Sequence, residues 1–492
     1  MSAPLRRLVQ QGSLYAVGNV LMKGAGFLLA LLYLDPAYLS QSAFGVWGTL
    51  DAAAKVAVPF LGLGLTVGLL RFWAEPTFAD DRAALQSTAL VATAALAVVG
   101  GGLIIVGAPW IAVALLGDEA PPEATLLLRL IGGLVAVRTV YGVPAALIRI
   151  HERAGLYVVA IAGEMAVLLV GTYYLLVVRG AGLTGVVAAH LAAATVSALV
   201  LVGGALRSGW APVRPDLLRR LVRFGLPLAA AGVGTLLLNL GDRFLLLRLA
   251  DAETTAVYDW SGRLGSLLYL LVVSSFNAAF SVIGIKTLRG DPSQTALHRR
   301  VFRHFVAGAG WAALGLSLAA YDVTRLISPN PAFLEAETLV APIAAGYLLY
   351  GVYFLMVNIL FVGDRTRSVA ANLVGATALN VALNVALIPA IGSMGAALAT
   401  ALSYAALVAL TARAVRDEAD TRFDWSLLAL VLLVGGGLYG LGHLGLDWPT
   451  PARIASRAAL VGLYPVLLVA LRIYRWDEVR ALAGAVRGWV RR

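Results

Sequence analysis

Not one of the 492 residues is a cysteine. This excludes a disulfide framework, a thiolate metal site and a cysteine nucleophile. Charge is scarce as well: Asp, Glu, Lys and Arg make up 13% of the chain, against roughly 25% in soluble globular proteins. With 60% hydrophobic residues, the composition excludes a water-soluble fold. The ten-residue alternation of a membrane β-barrel is missing too, so the spanning elements are helices. Acids are outnumbered by bases, leaving a net charge of +11. The bases flank apolar runs, as in cytoplasmic loops of membrane proteins, and are not read as a nucleic-acid footprint.

What is present is apolar blocks of about twenty residues, the length at which a helix crosses some 30 Å of hydrocarbon. Spans are expected near 11–34, 44–70, 84–106, 124–148, 154–178, 182–206, 225–247, 256–283, 304–321, 338–362, 368–388, 392–412, 425–446 and 455–472. The fold class is therefore an all-α integral membrane protein of about fourteen transmembrane helices. The first apolar run is too long for a signal sequence and reads as a retained helix. The tail 473–492 places Val479, Leu482, Val486 and Val490 opposite Arg480, Arg487 and Arg491, the pattern of an interfacial amphipathic helix.

Of the 38 Lys and Arg, 27 flank spans on the side of the N-terminus. Five, Arg179, Arg248, Arg325, Arg453 and Arg457, fall on the other side. The asymmetry predicts an even number of spans with both ends in the cytoplasm of a cell's plasma membrane. The outer loops are all short, the longest lying around Asp118–Glu123 and Asp322–Glu337. They leave no room for a catalytic domain, so an enzyme acting on glycosyl bonds is disfavoured.

The chain also matches itself. Arg6-Arg7-Leu8-Val9 with Gly12 recurs 213 residues later as Arg219-Arg220-Leu221-Val222 with Gly225, and Ala43 and Trp47 recur as Ala256 and Trp260. At an offset of 210, Gly182 and Gly185 recur as Gly392 and Gly395, each pair opening an alanine-rich helix. Spans 1–6 and 7–12 thus read as two copies entering the membrane in the same sense, an arrangement that places a transport site between repeats. The expected organisation is a bundle over 1–206, a linker over 207–224, a second bundle over 225–413, two extra helices over 425–472, and the tail.

Several short motifs carry a family likeness. They are Ala43-Phe44-Gly45-Val46-Trp47, Leu61-Gly62-Leu63-Gly64-Leu65 with Leu70-Arg71-Phe72, Arg223-Phe224-Gly225-Leu226-Pro227-Leu228, and Asp242-Arg243-Phe244-Leu245-Leu246 followed by Val257-Tyr258. The chain resembles the polysaccharide and O-antigen flippases of the multidrug/oligosaccharidyl-lipid/polysaccharide (MOP) exporter superfamily, with Val257 standing where the family usually has glycine. The resemblance implies two six-helix bundles around a V-shaped central cavity, lined chiefly by helices 1, 2, 7 and 8 and worked by alternating access. It also implies a groove for a polyprenyl tail at the last two helices, where Gly435, Gly436, Gly437, Gly440 and Gly442 would equally allow plain close packing. The implied partners are an anionic lipid-linked glycan, the bilayer and other polysaccharide-assembly proteins. No cofactor or metal is called for, and Na⁺ or H⁺ coupling is left open.

Ionisable groups inside spans are costly and tend to face a bundle interior or a wet cavity. Here they are Lys23, Asp51, Lys55, Arg129, Arg138, Glu164, Asp242, Arg243, Asp259 and Arg263. Asp51 and Lys55, like Asp259 and Arg263, are one turn apart and read either as internal ion pairs or as cavity groups. Lys23, Arg129 and Arg138 have no acid one turn away and call for a partner on another helix or a ligand. Six bases against four acids make a cationic interior that favours an anionic cargo such as a pyrophosphate. Asn19, Asn239, Asn277, Asn358 and Asn380 read either as interhelical hydrogen-bonders or as polar surface for sugar. Trp47, Trp260 and Tyr269 offer ring faces, or else belong to the interfacial belt. Pro59 and Pro227 read as gating hinges or as static kinks, and His190 as a packed polar residue.

The substrate-binding set expected from the sequence is thus Lys23, Asp51, Lys55, Arg129, Arg138, Asp242, Arg243, Arg263, Asn19, Asn239, Asn277, Trp47 and Trp260. A cation-coupled multidrug antiporter of the same superfamily is the alternative function. A membrane glycosyltransferase is the third reading.

Overall fold

The computed structural model describes residues 24, 26–207, 209–278, 280, 295–363, 365–416 and 423–471. Lys23, Asn19 and the amphipathic tail lie outside the described residues. Among those described the chain is all helix, and eleven helices are long and apolar enough to cross a membrane. We number them with their shorter companions as α1 (Gln41–Leu61), α2 (Leu65–Ala74), α3 (Arg82–Leu116), α4 (Ala124–Ile150), α5 (Ala154–Thr172), α6 (Gly182–Leu206), α7 (Pro215–Leu240) and α8 (Asp242–Leu249). The rest are α9 (Ala252–Leu268), α10 (Thr295–Ile327), α11 (Ala336–Val362), α12 (Thr366–Val415), α13 (Trp425–His443) and α14 (Thr450–Ala470).

Residue size is sorted as a membrane demands. Between residues 89 and 113 of α3 the buried positions are Ala89, Thr93, Ala97, Gly100, Gly101, Ala108 and Ala112, while Val98, Val99, Leu103, Val106, Trp110 and Val113 are exposed. Lipid tails are as apolar as leucine, so helices associate through close fit of small residues, and large side chains face outward.

Packing divides the chain into two units, 1–256 with 327–331, and 257–326 with 332–492. The division does not follow the repeat: α7 and α8, in the second copy by sequence, belong to the first unit. Backbone contact explains this. A Cβ added at Gly225 on α7 would lie 2.5 Å from the Gly64 carbonyl oxygen, and one added at Gly64 would strike the Gly225 backbone. Leu65, Leu69, Leu85, Val143, Leu147, Leu217 and Leu221 then close a core over α2, α3, α4 and α7. At the other end of α1, a Cβ on Gly45 would strike the Ala252 carbonyl. Two of the family-like motifs, around Gly64 and Gly225, therefore exist to let main chains touch.

The expected span 44–70 is two helices. Pro59 contributes no backbone donor, and α1 ends two residues later, where Leu63 (φ 46°) and Gly64 (φ 69°) turn left-handed. Pro227, by contrast, lies within the unbroken α7.

The second sequence match is visible in the backbone. Gly182 has φ 53° and Gly392 φ 56°, the latter dividing the fifty-residue α12 into two helices. Three residues on, Gly185 packs against Leu175 and Gly395 against Leu387, where a Cβ added at Gly395 would lie 2.5 Å from the Leu387 carbonyl oxygen. Both pairs form the same tight helical hairpin. A Cβ at Gly182 would meet no neighbour, so Gly182→Ala isolates the cost of the left-handed backbone. We expect it to destabilise the protein by about 1–2 kcal/mol, read as a lower melting temperature in detergent.

In the second unit, α14 lies along α10. Arg453, Arg457, Val461 and Tyr464 form its contact stripe. The Tyr464 hydroxyl donates to the Ala307 carbonyl at 3.1 Å, and the Trp311 indole donates to the Val461 carbonyl at 2.9 Å. Gly310 on α10 makes room for Tyr464 and for Val431 of α13.

Candidate transport site

Three of the bases expected inside the membrane hold a carboxylate. Lys55 Nζ donates to Asp51 Oδ2 at 2.5 Å, one turn away on α1. Arg263 Nε donates to Asp259 Oδ2 at 2.8 Å on α9. Arg138 on α4 reaches across to Glu164 on α5, the partner on another helix that its isolation in sequence demanded. In every pair the acid is the inner member: side-chain exposure is 56% for Lys55 against 22% for Asp51, 32% for Arg138 against 1% for Glu164, and 29% for Arg263 against 5% for Asp259. The long basic chains carry their charged heads outward while the short acids stay in the packing.

Arg129, one turn into α4, is exposed, and no ion pair reaches it among the described residues. Asp242 and Arg243 on α8 are buried and both engaged. The Thr49 hydroxyl ties α1 to this segment, donating to the Gly45 carbonyl at 3.3 Å with the Arg243 carbonyl at 3.5 Å. Among the described intramembrane cations, Lys55, Arg138 and Arg263 thus each hold a carboxylate and Arg129 holds none.

The aromatic and amide groups are largely structural. Trp47 and Trp260 are buried in helix packing, where they offer no ring face and form no interfacial belt. The Trp47 ring centre is 4.5 Å from that of His190, and Trp260 Nε1 donates to Thr324 Oγ1 at 2.9 Å. Asn239 donates to the Thr235 carbonyl at 2.7 Å and Asn358 to the Phe354 carbonyl at 2.9 Å, each one turn back on its own helix. Asn380 reaches Thr400 across the α12 hairpin at 3.5 Å. Asn277 is half-buried and engaged, and Tyr269 stacks on Tyr350 at 5.9 Å. Among the described residues no three His, Asp or Glu side chains gather to hold a metal ion.

Sequence reasoning missed two buried charges of the second unit. Arg453 and Arg457 were sorted to an outer loop but lie on α14, 2% and 4% exposed. The Arg453 guanidinium donates to Asp322 Oδ1 at 2.6 and 3.0 Å, and Arg457 Nη1 donates to Asp322 Oδ2 at 2.9 Å. Asp322, likewise expected in a loop, is on α10, which runs on to Ile327. Nearby, buried Glu337 on α11 pairs with His443 on α13 at 3.1 Å. The one-turn spacing of Arg453 and Arg457 was the available signal, outweighed by loop assignment. Removing both from the outer count sharpens the charge asymmetry between the two sides.

Among the described residues the chain is a many-helix membrane fold with small residues at its helix contacts. The described chain superposes on the lipid II flippase MurJ in an inward closed conformation with a TM-score of 0.75, at 11% identity, covering 94% of this chain and 100% of that one. It also resembles a multidrug resistance MATE family transporter of the MOP superfamily. For the inward-facing form the TM-score is 0.63 at 14% identity, over 80% of this chain and 94% of that one. For the outward-facing form it is 0.58 at 14% identity, over 85% and 96%. Among curated protein sequences none matches significantly. The family described as polysaccharide biosynthesis protein matches residues 8–284, and the chain belongs to that family.

Proposed function

We propose that this protein is a flippase. It carries a polyprenyl-(pyro)phosphate-linked oligosaccharide from the cytoplasmic to the outer leaflet of the plasma membrane by alternating access, and it makes no covalent bond. Membership of the polysaccharide biosynthesis family is the observation that carries this reading. The inside-out arrangement of the ion pairs supports it: Lys55, Arg138 and Arg263 present their cationic heads while buried acids anchor them. A phosphate can bind the exposed edge of a guanidinium without displacing the carboxylate on its other edge. Both termini face the cytoplasm in this reading.

Reconstitution tests it. Proteoliposomes should move a labelled polyprenyl-pyrophosphate oligosaccharide between leaflets, and Lys55→Ala and Arg263→Ala should each slow movement about tenfold, the loss of one charge-assisted contact of 1.4 kcal/mol. A second reading, a cation-coupled multidrug antiporter, draws on the fold shared with the MATE transporter. Movement of cationic dyes down a sodium-driven gradient, with no glycolipid movement, would favour it.

A further inference from the structure

Tyrosine ordinarily sits at the two membrane–water interfaces, with its ring in hydrocarbon and its hydroxyl in water. In the second unit it gathers halfway across. Tyr350 is at the centre of α11, and Tyr404 at the centre of the part of α12 that follows the Gly392 break. Tyr269 lies midway along the apolar run 256–283. Their rings meet: Tyr350 stacks on Tyr269 at 5.9 Å, on Tyr404 at 4.8 Å and on Tyr353 at 5.7 Å, and Tyr347 closes on Tyr269 at 5.7 Å. Five phenol groups are thereby held near mid-depth in the hydrocarbon, where polar side chains are costly and mark substrate paths.

The backbone departs from the α-helix at the same place. Tyr269–Val273 forms a π-helical turn in continuation of α9, a local widening that often accompanies function. Ser274 returns its hydroxyl to the Leu270 carbonyl of that turn at 2.7 Å. Two residues after Tyr269, on the far side of the helix, Leu271 is 65% exposed, as a lipid-facing side chain is. Tyr269 points the other way, onto α11, most of whose residues are buried. Tyr350, Tyr353 and Tyr404 are buried, but Tyr269 and Tyr347 are only half-buried and keep part of their rings accessible. The half-buried Arg263, Ser266 and Tyr269 follow one another at every third residue, which sets the guanidinium and the ring about 9 Å apart along the helix.

We propose that Tyr269 and Tyr347 form a stacking platform for a sugar ring of the cargo, an inference that rests on the flippase reading. The C–H face of a pyranose packs on a phenol ring, and phenol hydroxyls exchange hydrogen bonds with sugar hydroxyls. Tyr350, Tyr353 and Tyr404 back the two accessible rings and fix their orientation. With a phosphate of the cargo at Arg263, the spacing along α9 leaves Tyr269 for a sugar of the same molecule. Mid-depth is also where transporters hold their cargo.

The test measures binding to the full chain in detergent with two probes, lipid-linked oligosaccharide extracted from the native cell membrane and polyprenyl pyrophosphate without sugar. Wild type should bind the glycosylated probe about tenfold more tightly. Tyr269→Leu should erase that preference, Tyr269→Phe, which keeps the ring, should retain most of it, and Arg263→Ala should weaken both probes alike. Should Tyr269→Leu not fold, Tyr347→Leu is expected to erase the preference in its place. Equal affinity of wild type for the two probes, or a Tyr269→Leu protein that keeps the preference, would overturn the platform and leave the flippase reading standing. A wild type that binds neither probe would overturn both.

Discussion

Cysteines placed at Gly68 and Leu221 are expected to cross-link under mild oxidation and to stop transport almost completely, with full recovery on reduction. The native chain has no cysteine, so the pair is the sole source of disulfide. A Cβ at Gly68 would stand 3.4 Å from the Leu221 Cα and 3.1 Å from its carbonyl oxygen, so the two positions touch, and a small local shift would relieve the crowding as the sulfurs meet. The bond would join α2, in the first sequence copy, to α7, in the second. If cargo crosses by rocking one copy against the other, the Gly64–Gly225 and Gly68–Leu221 contacts must separate once per cycle. A covalent link removes that freedom without altering any charged residue of the site. Full transport by a fully cross-linked protein would show the contact to be static, and the moving parts would then have to be sought elsewhere.

Replacing Arg138 by methionine should destabilise the protein by about 3–5 kcal/mol, because it strands Glu164 as an uncompensated carboxylate inside helix packing. Glu164 is fully buried and its Oε2 already lacks a partner among the described residues, so Arg138 supplies its ionic contact there. The double variant Arg138→Met with Glu164→Leu should recover most of the loss, since two apolar chains of similar size need no pairing. Thermal melts of the four proteins in one detergent measure the cycle. A single variant that melts with the wild type would assign the pair the modest value, below about 1 kcal/mol, of an exposed ion pair.

Much of the candidate site was legible in the sequence, and the rest was hidden for definable reasons. The Asp51–Lys55 and Asp259–Arg263 pairs follow from one-turn spacing, because neighbours on a helix face need no tertiary information to meet. Arg138 announced its need of a partner by having no acid nearby, but only the packing of α4 on α5 could name Glu164. Trp47 and Trp260 misled, since an aromatic residue near a span end suits the membrane interface as well as the interior. Arg453 and Arg457 were misplaced because charge near a span end is ordinarily solvated, and nothing local reveals Asp322 over one hundred residues away in the chain. The break after Pro59 was foreshadowed by Leu61-Gly62-Leu63-Gly64, although apolarity alone read straight through it.

By itself the sequence determined the class of structure. Apolar length, scarcity of charge and the placement of basic residues are set by the bilayer's thickness and dielectric, which act on each segment separately. The turns at Gly182 and Gly392 were likewise written in residues, because a positive φ admits little but glycine. Tertiary structure decided which charge met which, that α7 packs with the first unit, and that Tyr269, Tyr350 and Tyr404 stack at mid-depth. Those outcomes depend on helices distant in the chain coming within a few ångströms, a distance that no local pattern encodes.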